Sequence, residues 1–263
     1  MPVLPGAQPF LLDAGADAPA TVLLSHGFTG SPQTVRPWGE AMHAAGYTAI
    51  GPRLPGHGTR WQDLAATRWQ DWYGELERAF DDALGRGKPV FAMGISMGGT
   101  LVLRLAQQRG AELAGLVLSN PSVLSQRFAV NHLLPYLSRV KRTAAGIASD
   151  IAKPGATEVA YDKVPLSALR SLTELWRLTR EDLAKVFVPL RVYRSAVDHV
   201  VEPANAKVVL AGVASEDVAE YVMEHSYHVM TLDNDAPELF AGSASFVAER
   251  LAALGAAGAG PVR

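Results

Sequence analysis

Short apolar runs alternate with stretches whose apolar positions recur every three or four residues. Residues 21–25 (Thr21, Val22, Leu23, Leu24, Ser25) form such a run and read as a buried strand. Ser31-Pro32 can then open a helix with a cap and an N1 proline, predicted to run to about Ala45, where Gly46 stops it. A second strand is predicted at 47–50, ending in the loop-forming 51–58. Between 61 and 84, Leu64, Trp69, Trp72, Tyr73, Leu76, Phe80 and Leu84 fall at helical steps, and the tryptophans read as core. Runs at 89–93, 113–118, 188–195 and 219–223 predict further strands, with helices at 97–110, 203–210 and from 235 to about 254. The residues before 21, rich in Pro and Gly, predict only an irregular or edge-strand lead-in.

Strands alternating with helices predict an α/β fold with a mostly parallel central sheet flanked by helices. Right-handed crossovers put the carboxyl ends of the strands on one edge, where such sheets bind ligands. The alternation lapses from about 122 to 185, a segment much longer than a crossover needs. It mixes basic and apolar residues and then places Leu166, Leu169, Leu172, Leu175 and Trp176 at helical spacing. A small helical cap shielding a site from water fits this pattern; an ordinary helical excursion is the alternative. The expected organisation is a core of residues 1–121 and 186–254, a cap insertion at 122–185, and a disordered Gly/Ala-rich tail at 255–263.

The 263 residues are 48% hydrophobic with a net charge of −2, which gives no electrostatic reason to expect a nucleic-acid or anionic-membrane partner. Without cysteine, thiolate catalysis, disulfides and Cys-based zinc sites are excluded. That absence, with no secretory signal in residues 1–17, is compatible with a cytoplasmic location. No apolar run reaches the roughly 18 residues of a membrane span, so no stable membrane insertion is expected.

The chemistry concentrates around Gly94-Ile95-Ser96-Met97-Gly98. Strand, G-x-S-x-G and helix in that order form the context of a nucleophile elbow. The glycines remove side chains that would collide as strand and helix approach. A serine needs an adjacent base, and the base an acidic partner to fix its tautomer. In this architecture the order is Ser, then Asp or Glu, then His. Asp198 and Glu202 follow a strand on the functional edge, and Asp198 lies closer to its exit. A loop-capping role is the alternative for Asp198. Among later histidines, His132 falls in the insertion and His199 beside the acid, leaving His225 and His228, which the residues alone do not separate. The N–H groups of Met97, after the nucleophile, and Phe28, in the loop leaving the 21–25 strand, can supply an oxyanion hole. His26 reads as a brace of that loop. His225 and His228 stand three residues apart, but no nearby loop offers further ligands, so neither a metal nor another cofactor is expected.

Five motifs in order, His26-Gly27-Phe28-Thr29-Gly30, Arg53-Leu54-Pro55-Gly56-His57-Gly58, Gly94-Ile95-Ser96-Met97-Gly98-Gly99, Val197-Asp198-His199-Val200-Val201 and Ser226-Tyr227-His228-Val229, span nearly the whole chain. Together they resemble the bacterial carboxylesterase and monoacylglycerol lipase branch of the α/β-hydrolase fold. The resemblance implies a triad of Ser96, Asp198 and His228, an oxyanion hole of the Phe28 and Met97 amides, and a cap that narrows an acyl tunnel. It also implies a small ester substrate with an acyl chain and, as counterpart of a glycerol-recognising cap glutamate, Glu158. The local pattern alone reads Glu158 as exposed on a helix face. Thioesters, small amides and C–C bonds remain open to the same triad, as does a non-catalytic binding scaffold.

Overall fold

The computed structural model describes residues 2–146 and 149–258. In chain order the core begins with β1 (Phe10–Leu12), β2 (Thr21–Ser25), α1 (Arg36–Ala44), β3 (Thr48–Gly51), α2 (Trp61–Ala65), α3 (Trp69–Leu84), β4 (Val90–Ile95), α4 (Met97–Arg109) and β5 (Leu113–Ser119). Next come α5 (Leu134–Val140), the strand pair β6 (Thr143–Ala145) and β7 (Lys163–Pro165), and α6 (Leu166–Glu181). The chain closes with β8 (Leu190–Ser195), α7 (Ala204–Gly212), β9 (Val218–Met223) and α8 (Ala236–Gly258).

The main sheet has the order β1-β3-β2-β4-β5-β8-β9. Only β1 runs antiparallel, against β3 at one edge. Alternation along each strand divides the core between the two faces. Val22, Leu24, Phe91 and Met93 pack with Trp38 and Met42 of α1 and Phe246 and Val247 of α8. Leu23, Val90 and Ala92 pack with Leu76 of α3, Leu101 of α4 and Leu172 of α6. Trp38 and Trp72 are fully buried, as core tryptophans should be.

Three boundaries differ from the sequence pattern. Ser31-Pro32 opens only a 3-10 turn, Pro32–Thr34, and the α-helix starts at Arg36. A helix running on from Pro32 would force the Pro37 ring against the carbonyl of Gln33, so the chain breaks at Val35 and restarts with Pro37 in the first turn. The 61–84 stretch is two helices, because the Asp71 carboxylate accepts the Arg68 N–H at 2.8 Å and caps a new N-terminus there. At the other end α8 continues through Gly258, correcting the expected tail at 255–258; alanine's helix propensity carries it past Gly255. The rest of that tail, 259–263, lies outside the described residues. Helix α8 is also long and apolar enough over Ala236–Ala256 to cross a membrane by composition, with a mean hydropathy of 1.2. Here Leu239, Phe246 and Val247 are buried in the core beside the sheet.

The insertion divides in two. Helix α6 is built into the core: Arg104 of α4 reaches Asp182 at 2.6 Å, and Gln107 donates to the Thr179 carbonyl at 2.8 Å. Residues 128–140 project instead, leaving Phe128, Tyr136 and Val140 exposed.

Candidate active site

Strand β4 and helix α4 meet at Ser96, whose φ of 55° and ψ of −120° are strained for a residue with a side chain. Two glycines permit the turn. A Cβ on Gly94 would lie 2.4 Å from the Gly98 carbonyl, and one on Gly98 would lie 2.1 Å from the Ser25 carbonyl oxygen. Backbone bonds hold the turn from both sides: Ser96 N–H donates to Ser119 O (3.0 Å) and Ser122 N–H to Ser96 O (3.2 Å).

The loop that carries Phe28 passes beside the elbow. Gly27 is so close that a Cβ there would be 3.3 Å from that of Ser96. Among the described residues neither the Phe28 nor the Met97 N–H has an acceptor, so both stand free for an oxygen above the elbow. Behind this loop His26 is fully buried; its Nε2 accepts the Leu54 N–H (3.2 Å) and its Nδ1 donates to Gly27 O (3.0 Å). Burial pushes its pKa down to about 4, so the ring is neutral and serves as a brace. His57 packs edge-on against it at 5.0 Å and is pushed well below the usual histidine range, by burial first and by His26 second.

The loops after β8 and β9 bring Asp198 and His228 together, with His228 Nδ1 2.8 Å from Asp198 Oδ2 and both side chains nearly excluded from solvent. Asp198 Oδ1 accepts the N–H groups of Val200 (2.8 Å) and Val201 (2.7 Å). Burial opposes the charge on each partner, but their mutual attraction outweighs it: the His228 pKa is raised and that of Asp198 lowered. His225, the other candidate, is exposed and is held through its backbone, its N–H donating to Asp235 (2.9 Å) and its carbonyl accepting from Asn234 Nδ2 (2.9 Å).

Ser96 and His228 line one cavity of about 350 Å³. Its lining is mixed. Leu124, Val130, Val164, Leu169, Leu172 and Trp176 are apolar, and Thr34, Ser125, Arg127, Asp150, Glu158 and Glu202 are polar. Glu158 departs from the reading of an exposed helix face: it sits in an irregular segment, is partly buried, and lines the cavity. Its carboxylate accepts from Thr34 Oγ1 (3.2 Å) and from the Ser149 N–H (3.4 Å). A Cβ on Gly30 would stand 2.9 Å from its Oε1, so that glycine leaves room for the carboxylate. Burial raises its pKa against the opposing pull of His228.

Several residues at the site escaped the pattern of the chain. Asn120, at φ +43°, donates to Ser195 Oγ (3.0 Å) and His228 O (2.8 Å) and accepts the Ser195 N–H (2.8 Å), tying the ends of β5 and β8 to the histidine loop. An asparagine closing a strand is a weak signal for such a left-handed position. Asp150 accepts the His228 N–H (3.2 Å), and buried Asp233 accepts those of Ala152 (2.7 Å), Lys153 (2.8 Å) and Tyr227 (2.8 Å).

Known proteins resemble this chain over most of its length. The Hydrolase_4 family, described as serine aminopeptidase, S33, matches residues 16–235. A thermostable monoacylglycerol lipase from Bacillus sp. (strain H-257) is 38% identical over 248 residues, 94% of this chain and 97% of that one. A carboxylesterase from Bacillus subtilis (strain 168) is 26% identical over 87% of this chain and 91% of its own. Among solved structures, one described for the metagenome-derived lipolytic enzymes LipS and LipT superposes with a TM-score of 0.90 at 34% identity, covering 94% of this chain and 100% of that one. A soluble variant of monoglyceride lipase from Saccharomyces cerevisiae, in complex with a substrate analog, shares the fold at a TM-score of 0.73 and 17% identity, covering 91% of this chain and 88% of that one. The chain therefore belongs to the Hydrolase_4 family and, within the α/β hydrolases, to the carboxylesterase and monoacylglycerol lipase branch, and it is an enzyme of that hydrolase class.

Proposed function

We propose that this chain hydrolyses carboxylic esters through an acyl-enzyme on Ser96, with His228 as general base and Asp198 as its orienting acid. The observation that carries this reading is the Asp198–His228 pair at 2.8 Å, opening into the same cavity as the strained Ser96. Asp198 accepts a hydrogen bond from Nδ1–H of His228, which fixes that tautomer and leaves Nε2 as the basic nitrogen. Ser96 Oγ attacks the ester carbonyl while His228 takes its proton, and the carbonyl oxygen becomes an oxyanion between the Phe28 and Met97 amides. Each such donor is worth on the order of 10² to 10³ in rate. His228 returns the proton to the departing alcohol, and water, deprotonated by the same base, then releases the acid.

The cavity's polarity supports a substrate with an acyl chain and a small polar alcohol, for which a monoacylglycerol is suited. The chain would lie against Leu169, Leu172 and Trp176 and the alcohol would face Glu158 and Thr34. In this reading residues 122–185 act as the cap over a core of 1–121 and 186–254. The test replaces Ser96 with alanine. The folded variant should lose hydrolysis of a short p-nitrophenyl ester and labelling by a fluorophosphonate; parent-like turnover would refute the reading. A series of monoacylglycerols against triacylglycerols of matched chain length tests the substrate class.

The family's description favours one second reading, an amide with a free α-amine whose ammonium Glu158 would attract. Rates on amino-acid p-nitroanilides against the same short esters separate the two.

A further inference from the structure

Resting on that reading, we infer that Asp150, contributed by the insertion, is a positioning residue that aligns the His228–Asp198 pair and couples it to docking of the insertion. One carboxylate reaches both loops of the pair. Its Oδ2 accepts the backbone N–H of His228 (3.2 Å) and that of His199 (3.2 Å), the residue directly after Asp198. Its Oδ1 lies 2.8 Å from His199 Nδ1, and its carbonyl accepts the Val229 N–H (3.1 Å). The His199 ring in turn packs edge-on against Tyr227 at 4.7 Å. The carboxylate is only 10% exposed, so these bonds form where water competes poorly.

Asn120 already secures the carbonyl side of His228, through the 2.8 Å bond to its oxygen. Asp150 secures the amide side, and the two together set the path of the backbone that carries the imidazole. The adjoining residues of the insertion are held to the same loop by Asp233, which accepts from Ala152, Lys153 and Tyr227. Docking of residues 149–153 and alignment of the base therefore share one network. The charge acts in the same direction: Asp198, Glu158 and Asp150 are the carboxylates facing His228, and each favours the imidazolium that forms during reaction.

The experiment compares the full-length parent, Asp150→Asn, Asp150→Glu and His199→Ala on p-nitrophenyl acetate, whose acyl group is too small to report on the apolar wall. Asp150→Asn should lower kcat by about 10- to 100-fold with KM within about twofold, since misplacing a reacting group by about 1 Å costs on that order. The acid limb of its kcat/KM profile should move to lower pH, and fluorophosphonate labelling of Ser96 should slow in parallel. Asp150→Glu should recover part of the loss, and His199→Ala should lose less than Asp150→Asn. A folded Asp150→Asn with parental kcat and parental acid limb overturns the inference. So does a loss that only tracks the folded fraction while the acid limb stays in place. Should Asp150→Asn not fold, His199→Ala decides, and parental kinetics there overturn it. Absence of both turnover and Ser96 labelling in the parent would instead refute ester hydrolysis itself.

Discussion

Asp198 divides its carboxylate between two tasks, with Oδ2 2.8 Å from His228 Nδ1 and Oδ1 taken by the amides of Val200 and Val201. The residue is thus fixed in rotation as well as in place. An asparagine there keeps its oxygen on the two amides, because only an oxygen can accept from them, and turns its NH₂ toward His228. That donor forces the Nδ1 proton off and leaves His228 protonated on the nitrogen that must act as base. Asp198→Asn should therefore fold normally and lose about 10⁴ in kcat with little change in KM. Steady-state kinetics with a circular-dichroism melt check it; a loss below about tenfold would show that Asp198 does not set the tautomer.

His228 carries a raised pKa, so its protonated, inactive form persists above the ordinary histidine value of 6.5. The acid limb of kcat/KM, which reports the free enzyme, should have its midpoint above 6.5. Glu158 contributes to that elevation, and Glu158→Gln removes its charge. The midpoint should then fall. Rate profiles from pH 5 to 9 at low substrate test both statements; a midpoint that rises on substitution would contradict the assigned electrostatics.

How much of this was legible in the chain depends on the range of the interaction. Ser96 was, because the elbow is a local conformation written in five adjacent residues. Asp198 was too, through its place at a strand exit. His225 and His228 could not be separated from the residues alone, since both follow the same strand and only packing buries one of them. Glu158 looked exposed because its partner Thr34 lies 124 residues away, and Asp150 meets its partners 49 and 78 residues away. No periodicity records such meetings. The five-motif resemblance supplied His228 and Glu158, though it said nothing of Asp150 or Asp233.

Two glycines on helices should respond in opposite ways to alanine. At Gly98 the new Cβ would meet the Ser25 carbonyl oxygen at 2.1 Å, its carbon at 2.6 Å and the His26 carbonyl oxygen at 2.7 Å, all backbone. Neither strand β2 nor α4 can retreat without opening the elbow. Gly98→Ala should cost about 3 kcal/mol, the upper end for overpacking, and abolish Ser96 labelling. In α3, Gly74 has nothing within 4 Å of the added atom, and Gly74→Ala should stabilise by up to about 1 kcal/mol through helix propensity. Urea midpoints of both variants check the pair, and a neutral Gly98→Ala would mean that strand and helix are less tightly apposed.

The buried His26–His57 pair makes stability depend on acid in a defined window. In the folded chain His26 holds its proton off until about pH 4, and His57 also titrates well below 6.5. Once unfolded, both titrate near 6.5. Between those values the unfolded state binds protons that the folded state does not, so stability is full above 6.5 and falls as pH drops toward 4. For His26 alone the loss is on the order of 3 kcal/mol. Glu158, with its raised pKa, acts in the opposite sense low in the window, and Asp198 loses its contribution below 3.8, so a variant comparison isolates the histidine. His26→Gln keeps an acceptor for the Leu54 N–H and removes the titrating group. Its urea midpoint should fall less between pH 7 and pH 4.5 than that of the parent. Equal falls in the two proteins would show that His26 is not held neutral behind the oxyanion loop.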